Sequence, residues 1–275
     1  MLYSILLELM VRQTAVIPVT MGHLAHALFL NLVKRFDAAL ASRLHDEPGY
    51  RPFTVSPLSG GTLAGERIAL RRGQRCRLRI TLFDDGVLWH ALQMHFLEAG
   101  PIYMRLGEAD LHLARMLITP TSDTTNWAGS TDWQTLITLS AQPTITFHFS
   151  TATAFSLGKR QFYLFPEPRL VWDSLLRAWN KYAPDQLHME KRTVCESFSK
   201  EIAVTGCALL HAFLHFPNYV QKGFEGRCTY QLSADQQQVS KLTSLAAFAH
   251  YAGVGYKTSM GMGQVRVEFG NGPPG

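Results

Sequence analysis

The chain has 275 residues, enough for one large domain or two ordinary ones of ~100–200 residues and too many for a single small module. Hydrophobic residues make up 47% and charged residues 17%, which excludes a disordered chain or a highly charged coiled coil. Lysine and arginine outnumber the acidic residues 26 to 21, and 18 of the 26 are arginines, which bind phosphate with two donors at once. This excess of basic residues, most of them arginine, favours an anionic partner.

The apolar residues 1–20 are interrupted by Glu8 and Arg12 and are not followed by a cleavage site of small residues. We therefore predict neither a signal peptide nor a membrane span, and no membrane partner. The cysteines are too far apart in sequence for metal-binding pairs, and they lie in apolar stretches, at Cys76, Cys195, Cys207 and Cys228. We expect buried free thiols in a reducing cytoplasm.

In the N-terminal half, strands and helices alternate. Residues 2–10 predict a strand, and residues 23–44, with an apolar residue at every fourth position from Leu24 to Leu44, predict one amphipathic helix. The elements predicted next are strands over 53–58, 68–72 and 76–83, a helix over 86–98 and a strand over 111–119. This order is the split βαβ pattern of a ferredoxin-like domain.

The C-terminal half repeats the alternation after residues 119–132, whose polar, turn-forming composition predicts a linker. The predicted elements are strands over 143–155, 201–216, 223–233 and 264–269 and helices over 166–184 and 235–252, with Asp235 as a cap. We therefore predict an α+β fold of two tandem ferredoxin-like (RRM-like) domains. Their predicted bounds are residues 1–120 and 131–270.

Residues 253–263 (GVGYKTSMGMG) contain four glycines. They do not form a dinucleotide-binding GxGxxG motif, because Thr258 occupies the sixth position and the loop follows a helix. A P-loop is excluded because Tyr256 precedes Lys257, where that motif has glycine. We predict a loop with positive φ angles whose N–H groups approach phosphate, with Lys257 adding charge and with folding largely independent of the glycines. The alternative is a flexible connection from helix to strand.

This loop resembles the GxGxxxxxGxG motif of the CRISPR RNA-processing endoribonucleases of the RAMP superfamily, the Cas6 family. The motif falls on Gly253, Gly255, Gly261 and Gly263. Residues 44–58 (LHDEPGYRPFTVSPL) resemble the Leu-His motif of the family, which an aromatic strand follows. The resemblance covers nearly the whole chain, although residues 120–200 match only in the order of elements. It implies two ferredoxin-like domains, as the element pattern also does.

The resemblance also implies the chemistry, which is cleavage of CRISPR repeat RNA without a metal or other cofactor. A 2′-hydroxyl attacks the adjacent phosphate, which needs a base, an acid and a nearby cation. His45 matches the catalytic histidine of the family. Arg51 lies near a position where the family often has lysine, and it would keep the charge but not a proton-transfer role. The family often has a Tyr or His on its first helix, at a spacing that here falls on Phe29, Leu30 and Asn31. The histidines nearest to that position are His26 and, as the alternative, His23, which lie a turn or two earlier.

Each of these histidines could instead have a purely structural role. His45 could be a helix C-terminal histidine stabilised by the helix dipole, but the family match favours catalysis. His23 and His26 both miss the apolar face of the predicted helix, which leaves a catalytic and a structural role equally open. His211 and His215 lie on one face of a predicted strand, and we interpret them as structural because a metal site needs a third ligand.

Six arginines lie between residues 67 and 79. The alternation of Arg75, Arg77 and Arg79 places three of them on one sheet face, which predicts a track for RNA phosphates, whereas the alternative is a solvated hairpin face. A second basic set is assigned to RNA on weaker grounds and comprises Lys159, Arg160, Lys191 and Arg192.

Together these observations predict a sequence-specific endoribonuclease, a monomer or homodimer, whose partners are CRISPR repeat RNA and other CRISPR-associated proteins. The alternative in the same superfamily is a non-catalytic RNA-binding subunit of an interference complex, which would share the fold and the glycine loop. A small-ligand α/β enzyme is disfavoured because the chain contains no cofactor motif.

Overall fold

A computed structural model describes residues 1–84, 86–97, 100–120, 125–191, 201–216 and 219–270. Contacts within the chain divide it into two compact units. Unit 1 comprises Met1–Ser130 together with Ser259–Gly261, and unit 2 comprises Thr131–Thr258 together with Met262–Gly275. Among the described helices, none has the length and apolar character needed to cross a membrane.

The helices of unit 1 are α1 (Gly22–Lys34), α2 (Ala38–Asp46) and α3 (Val87–Leu97). Its strands are β1 (Leu2–Val11), β2 (Ala15–Pro18), β3 (Phe53–Val55), β4 (Thr62–Ala64), β5 (Arg67–Leu70), β6 (Arg75–Leu82), β7 (Tyr103–Leu106) and β8 (Ala109–Leu117), with β9 (Gly129–Thr131) at the boundary between the units.

The main sheet of unit 1 has the strand order β3-β6-β1-β8-β7, and β9 also pairs with β1. Taken in chain order, β1, α1, β3, β6, α3 and β8 form the βαββαβ unit of a ferredoxin-like domain, with β1 in the middle of the sheet. A separate small sheet has the order β2-β5-β4. Successive residues of β1 face opposite sides, so that Ile5, Leu7 and Leu9 enter the main core.

The predicted helix over 23–44 is wrong as a single element, because the chain breaks between α1 and α2. Asp37 is the reason: its carboxylate accepts a hydrogen bond from the backbone N–H of Leu40 at 2.8 Å and caps a new helix. The four-residue spacing of leucines continues across the break because Leu32 and Leu40 both enter the core. The break places residues 38–46 on a helix of their own.

The helices of unit 2 are α4 (Trp133–Ile137), α5 (Pro168–Tyr182) and α6 (Gln236–Ala252). Its strands are β10 (Thr144–Thr153), β11 (Phe155–Gly158), β12 (Gln161–Tyr163), β13 (Ile202–Phe216), β14 (Tyr219–Leu232) and β15 (Val265–Gly270). The four long strands form a sheet in the order β13-β14-β10-β15.

Unit 2 therefore has the same βαββαβ order, in which α5 and α6 are the two helices. Asp235 caps α6 by accepting a hydrogen bond from the N–H of Gln238 at 3.0 Å, as predicted. Trp172 of α5 is fully buried and donates to the carbonyl of Leu242 at 3.1 Å, which ties the two helices together. The predicted fold of two ferredoxin-like domains is confirmed.

Several short elements were not predicted, including β2, β4, β7, β11 and β12, because three or four residues are too few to show a period. Strand β9 lies inside the predicted linker. Cys76 and Cys228 are buried free thiols as expected, but Cys207 is exposed, since it lies on β13 at the edge of its sheet. Cys195 lies outside the described residues.

Candidate functional site

His45 lies in the last turn of α2 and is exposed. The helix ends one residue later, at Asp46, because Glu47 adopts an extended conformation with φ −61° and ψ 122°. Pro48 follows and cannot continue a helix. The local sequence thus places an imidazole at the solvent-facing end of a short helix.

Arg51 fixes this helix end. Its Nε donates to the carbonyl of Leu44 at 2.8 Å and its Nη2 donates to the carbonyl of His45 at 3.0 Å. Carbonyls in the last turn of a helix lack partners within the helix, and a cation there interacts favourably with the helix dipole. Arg51 therefore holds the backbone of His45 in place, a role that residue spacing in the sequence did not reveal.

His26 lies on α1 and is only 5% exposed, so the prediction that it misses the buried face was wrong. Its ring stacks on Phe53 with the centroids 5.5 Å apart. The Nδ1 atom lies 2.9 Å from the carbonyl oxygen of Ser259, which belongs to the same unit. Because a carbonyl only accepts, Nδ1 carries the proton, and in the neutral ring Nε2 is left as the acceptor.

Burial lowers the pKa of His26 below its ordinary value, while the hydrogen bond to Ser259 opposes this shift. The positive charges of Arg51 and His45 lower the pKa further. His26 is therefore neutral near pH 7. Arg51 and His45 both lie within electrostatic range of His26.

Three other histidines were considered in the sequence analysis. His23 lies three residues before His26 on α1 and is half-buried. His211 and His215 are exposed on β13. Within the described ranges, no three side chains of His, Cys, Asp or Glu are gathered closely enough to hold a metal ion.

The glycine loop has the predicted positive φ angles, 66°, 86°, 86° and 64° at Gly253, Gly255, Gly261 and Gly263. A methyl group on Gly263 would lie 2.1 Å from the carbonyl oxygen of Val254, and one on Gly255 would lie 2.5 Å from that of Ala154. The loop therefore needs these glycines for its own backbone packing, and it is not merely a flexible connection.

Much of the backbone of the loop is already hydrogen-bonded. The N–H groups of five loop residues donate to backbone carbonyls within the chain, namely Gly253, Val254, Tyr256, Met262 and Gly263. These five groups are not directed at a ligand. Any phosphate contact by the loop would use its other N–H groups or the side chain of Lys257.

Lys257 has a positive φ of 56°, and its ammonium lies against three aromatic rings. The distances from Nζ to the ring centroids are 4.6 Å for Phe216, 4.7 Å for Tyr219 and 5.3 Å for Tyr256. The ammonium also donates to the hydroxyl of Tyr219. These cation–π contacts hold the charge of Lys257 beside the end of the β13–β14 hairpin.

The three alternating arginines share one face of β6, as predicted, since they pair with Met10, Glu8 and Leu6 of β1. Of the three, only Arg75 is exposed. Arg77 lies 3.1 Å from the carboxylate of Glu8, a buried group that also faces Arg115 at 3.7 Å.

Arg79 is 3% exposed, donates to Ser4 Oγ at 2.8 Å and lies 4.5 Å above the ring of Trp127. It is not part of an exposed track. In the second basic set, Lys159 and Arg160 are exposed in the β11–β12 turn. The exposed Lys191 lies 3.9 Å from Asp173, and Arg192 is outside the described residues.

The two ferredoxin-like units define the class of protein, and the comparisons with known proteins identify the family. The family model of the CRISPR-associated endoribonuclease Cas6 matches residues 147–265, and that of the CRISPR Cas6 N-terminal domain matches residues 1–138. The chain belongs to the Cas6 family of CRISPR-associated endoribonucleases. The resemblance drawn from the glycine loop and the Leu-His segment is confirmed.

Curated relatives carry the same family name. The CRISPR-associated endoribonuclease Cas6 of Streptococcus thermophilus is 26% identical over 120 residues, which is 44% of this chain and 49% of the relative. That of Mycobacterium tuberculosis is 28% identical over 120 residues, 44% of this chain and 37% of the relative. The chain thus spans half or less of the length of these curated relatives.

Solved structures match over nearly the whole chain. The Cas6 (TTHB231) product complex is 31% identical with a TM-score of 0.81, covering 98% of this chain and 100% of the other. Thermus thermophilus Cas6 (TTHB231) is 30% identical with a TM-score of 0.74, covering 98% of each chain. The Cas6 (TTHA0078) product complex is 26% identical with a TM-score of 0.75, covering 97% and 99%.

The packing of the glycine loop reverses our expectation that folding is largely independent of its glycines. Gly263→Ala should lower the free energy of unfolding by several kcal/mol, because the added methyl group meets the carbonyl of Val254. Gly73→Ala is the matched control: its φ is also positive, 80°, but a methyl group there meets nothing within 4 Å, and it should cost only ~1–2 kcal/mol. Urea unfolding measures both, and equal losses would contradict the packing argument.

Proposed function

We propose that the chain is a metal-independent endoribonuclease that cleaves CRISPR precursor RNA within its repeats to yield mature CRISPR RNA. The observation that carries the proposal is the group in unit 1 in which exposed His45, neutral His26 and Arg51 interact electrostatically. Family membership supports it, as do the product complexes among the similar structures. The domain bounds 1–120 and 131–270 and a cytoplasmic location belong to the same proposal.

RNA contact is proposed for two sets of residues. One set lies in the glycine loop, where Gly255, Gly261 and the side chain of Lys257 would contact RNA, while the N–H groups of Gly253 and Gly263 are already donated within the chain. The other is the exposed part of the arginine face, Arg75 together with Arg77, whose side chain is 39% exposed beside Glu8. Guanidinium and ammonium groups bind phosphates by charge and hydrogen bonding. Arg79 is left out because it is buried.

The two histidines suit opposite halves of the reaction, because their surroundings make them different. Neutral His26 has an acceptor at Nε2, which would take the proton from the 2′-hydroxyl as O2′ bonds to phosphorus. Protonated His45 would give its proton to O5′ as the P–O5′ bond breaks. The products are a 2′,3′-cyclic phosphate and a 5′-hydroxyl. In this step His26 gains one proton and His45 loses one.

Arg51 is proposed as a positioning residue. Its Nε and Nη2 atoms are used on the carbonyls of Leu44 and His45, so it fixes the helix end that carries the imidazole. Burial is the main cause of the lowered pKa of His26, and the charge of Arg51 adds to that shift. A lysine at position 51 would keep a charge but could not donate from two fixed nitrogens in this way.

His45→Ala should lower the rate of repeat-RNA cleavage by at least ~10²-fold, the usual contribution of a general acid or base, while RNA affinity stays nearly unchanged. His90→Ala is the matched control, since His90 is an exposed histidine on α3 of the same unit. Single-turnover cleavage and filter binding measure the two quantities. If His45→Ala kept full activity, another residue would have to be the general acid. If the unmodified protein did not cleave repeat RNA, a non-catalytic RNA-binding subunit would be the better assignment.

The lowered pKa of His26 predicts a pH dependence. As a base it must be neutral, so the acidic limb of the rate profile should lie below ~6.5, the ordinary histidine pKa, and should disappear in His26→Asn. The free energy of unfolding should also depend on pH. As the pH falls below ~6.5, His26 is protonated in the unfolded chain before it is protonated in the folded protein, so the folded protein loses stability until the pH reaches the lower, folded-state pKa. A limb that persists unchanged in His26→Asn would contradict this role.

The mechanism predicts that EDTA does not inhibit cleavage, because the nucleophile belongs to the RNA and no metal-bound water is needed. A repeat with one 2′-deoxy sugar 5′ of the scissile phosphate should bind but resist cleavage, since only the attacking group is missing. It should act as a competitive inhibitor of the unmodified repeat. Cleavage of this substrate, or activity lost with EDTA and restored by magnesium, would point to a metal-dependent hydrolase.

A further inference from the structure

Cys207 and Cys228 lie directly opposite each other on the antiparallel strands β13 and β14 of unit 2. Residues that face each other in this way point to the same side of a sheet, and their Cα atoms are ~4.5–5.5 Å apart. A disulfide spans a Cα separation of ~4.4–6.8 Å. The register of the hairpin therefore places two thiols at a separation that an S–S bond can close.

The electrostatic interactions of the two thiols agree with this register. Burial raises the pKa of Cys228 to about 12, and the neighbouring Cys207 adds to the rise. Burial also raises the pKa of Tyr230, and both thiols contribute to that shift. Tyr230 lies two residues after Cys228, on the same face of β14. The two thiols therefore share the face of the sheet that carries Tyr230.

The two thiols differ in their access to solvent. Cys207 is exposed because β13 is the edge strand of its sheet. Cys228 is 0% exposed on β14, which lies between β13 and β10. A reactant in water therefore reaches Cys207 and not Cys228. Redox-sensitive sites pair a solvent-accessible cysteine, which is oxidised first, with a second cysteine that resolves the oxidised form.

The backbone beside the pair brings the two strands together. On one side of the pair the register shifts between Val204 and Gly206, which makes a bulge in β13. On the other side Gly226 has a φ of 126°, and a methyl group there would collide with the carbonyl oxygen of Ala208. Among the described strands, β13 pairs only with β14. An edge strand with a bulge can move towards its partner without disturbing the pairing of β14 with β10.

We propose that Cys207 and Cys228 form a reversible redox modification site, in which hydrogen peroxide converts the two thiols into a cross-strand disulfide. In the first step the sulfur of Cys207 attacks peroxide, so that an S–O bond forms and the O–O bond breaks. The thiol proton leaves in a molecule of water, and Cys207 becomes a sulfenic acid. Peroxide is reduced in this step and the sulfur is oxidised.

In the second step the sulfur of Cys228 attacks the sulfenic sulfur of Cys207. The S–S bond forms, the S–O bond breaks, and the hydroxyl group leaves as water with the proton of Cys228. In total the two thiols lose two electrons and one molecule of peroxide gains them. A dithiol reductant restores both thiols by exchange through a mixed disulfide.

The bond would protect Cys207 and join β13 covalently to the strand that holds it. An exposed sulfenic acid without a partner is oxidised further to sulfinic and sulfonic acids, which thiol reductants do not reverse. The disulfide also closes a loop of roughly 20 residues, which restricts the unfolded chain. None of these effects involves RNA, so the proposal does not depend on the proposed function.

The test uses the full chain, with hydrogen peroxide as the probe, followed by alkylation of free thiols and mass spectrometry without reduction. We expect the monomer to lose two hydrogen atoms, a peptide pair to be linked through Cys207 and Cys228, and dithiothreitol to restore both thiols. Cys76 is the internal control, because it is buried opposite Leu9 of β1 and should remain a free thiol. The proposal is overturned if both thiols of the pair stay free under peroxide that oxidises free cysteine in solution, or if Cys207 is linked to Cys195.

Two variants separate the roles of the two thiols. Cys207→Ser changes an exposed side chain, so the protein should fold, and it should abolish the peroxide-dependent loss of hydrogen. Cys228→Ser should leave Cys207 unprotected, so that Cys207 gains two or three oxygen atoms or links two chains. Circular dichroism checks folding, and Cys228→Ala replaces Cys228→Ser if the buried hydroxyl prevents it. If Cys207 is oxidised no further in the position-228 variant than in the unmodified protein, Cys228 is not the resolving residue.

Oxidation should also raise the midpoint of thermal unfolding by several degrees, and dithiothreitol should remove the gain, because the disulfide restricts the unfolded chain. Cys207→Ser treated in the same way is the matched control and should show no gain. An unchanged or lower midpoint in protein that carries the disulfide would show that the bond does not stabilise the attachment of β13.

Discussion

The hydrogen bond between His26 Nδ1 and the carbonyl of Ser259 decides the chemistry of the candidate site. It selects the tautomer whose Nε2 accepts a proton, while burial keeps the ring neutral by lowering its pKa. The bond joins a helix near the N-terminus to a residue 233 positions later in the chain. The glycine-rich sequence therefore matters to the histidine through the backbone of Ser259.

The path of the loop depends on close backbone contacts. A methyl group on Gly22, at the start of α1, would lie 1.7 Å from the carbonyl oxygen of Met260, and one on Gly261 would lie 3.3 Å from the ring of Pro57. These contacts seat residues 259–261 against unit 1 and so fix the carbonyl that His26 binds. The glycines therefore act on the geometry of the protein itself.

The regular elements could be predicted because their apolar periods are long, as in β1 and α6, and the residue types at the site were found by resemblance. The break at Asp37 was missed because a capping carboxylate leaves the leucine period intact. The burial of His26 and the two carbonyl bonds of Arg51 depend on residues brought together only by folding. Spacing along the chain carries no signal for contacts of that kind.

The arginines show why composition alone misleads about binding. Arg79 stacks on Trp127, Arg51 holds a helix end and Arg77 balances the buried carboxylate of Glu8, so each satisfies a need within the protein. A cation engaged in this way contributes less to attracting RNA than its formal charge suggests. Groups such as Lys34 and Arg75, which are exposed and make no ion pair with the described residues, retain that capacity. Electrostatic attraction of an RNA by this chain would therefore depend on which cations the fold leaves uncompensated, and much less on the net charge of the chain.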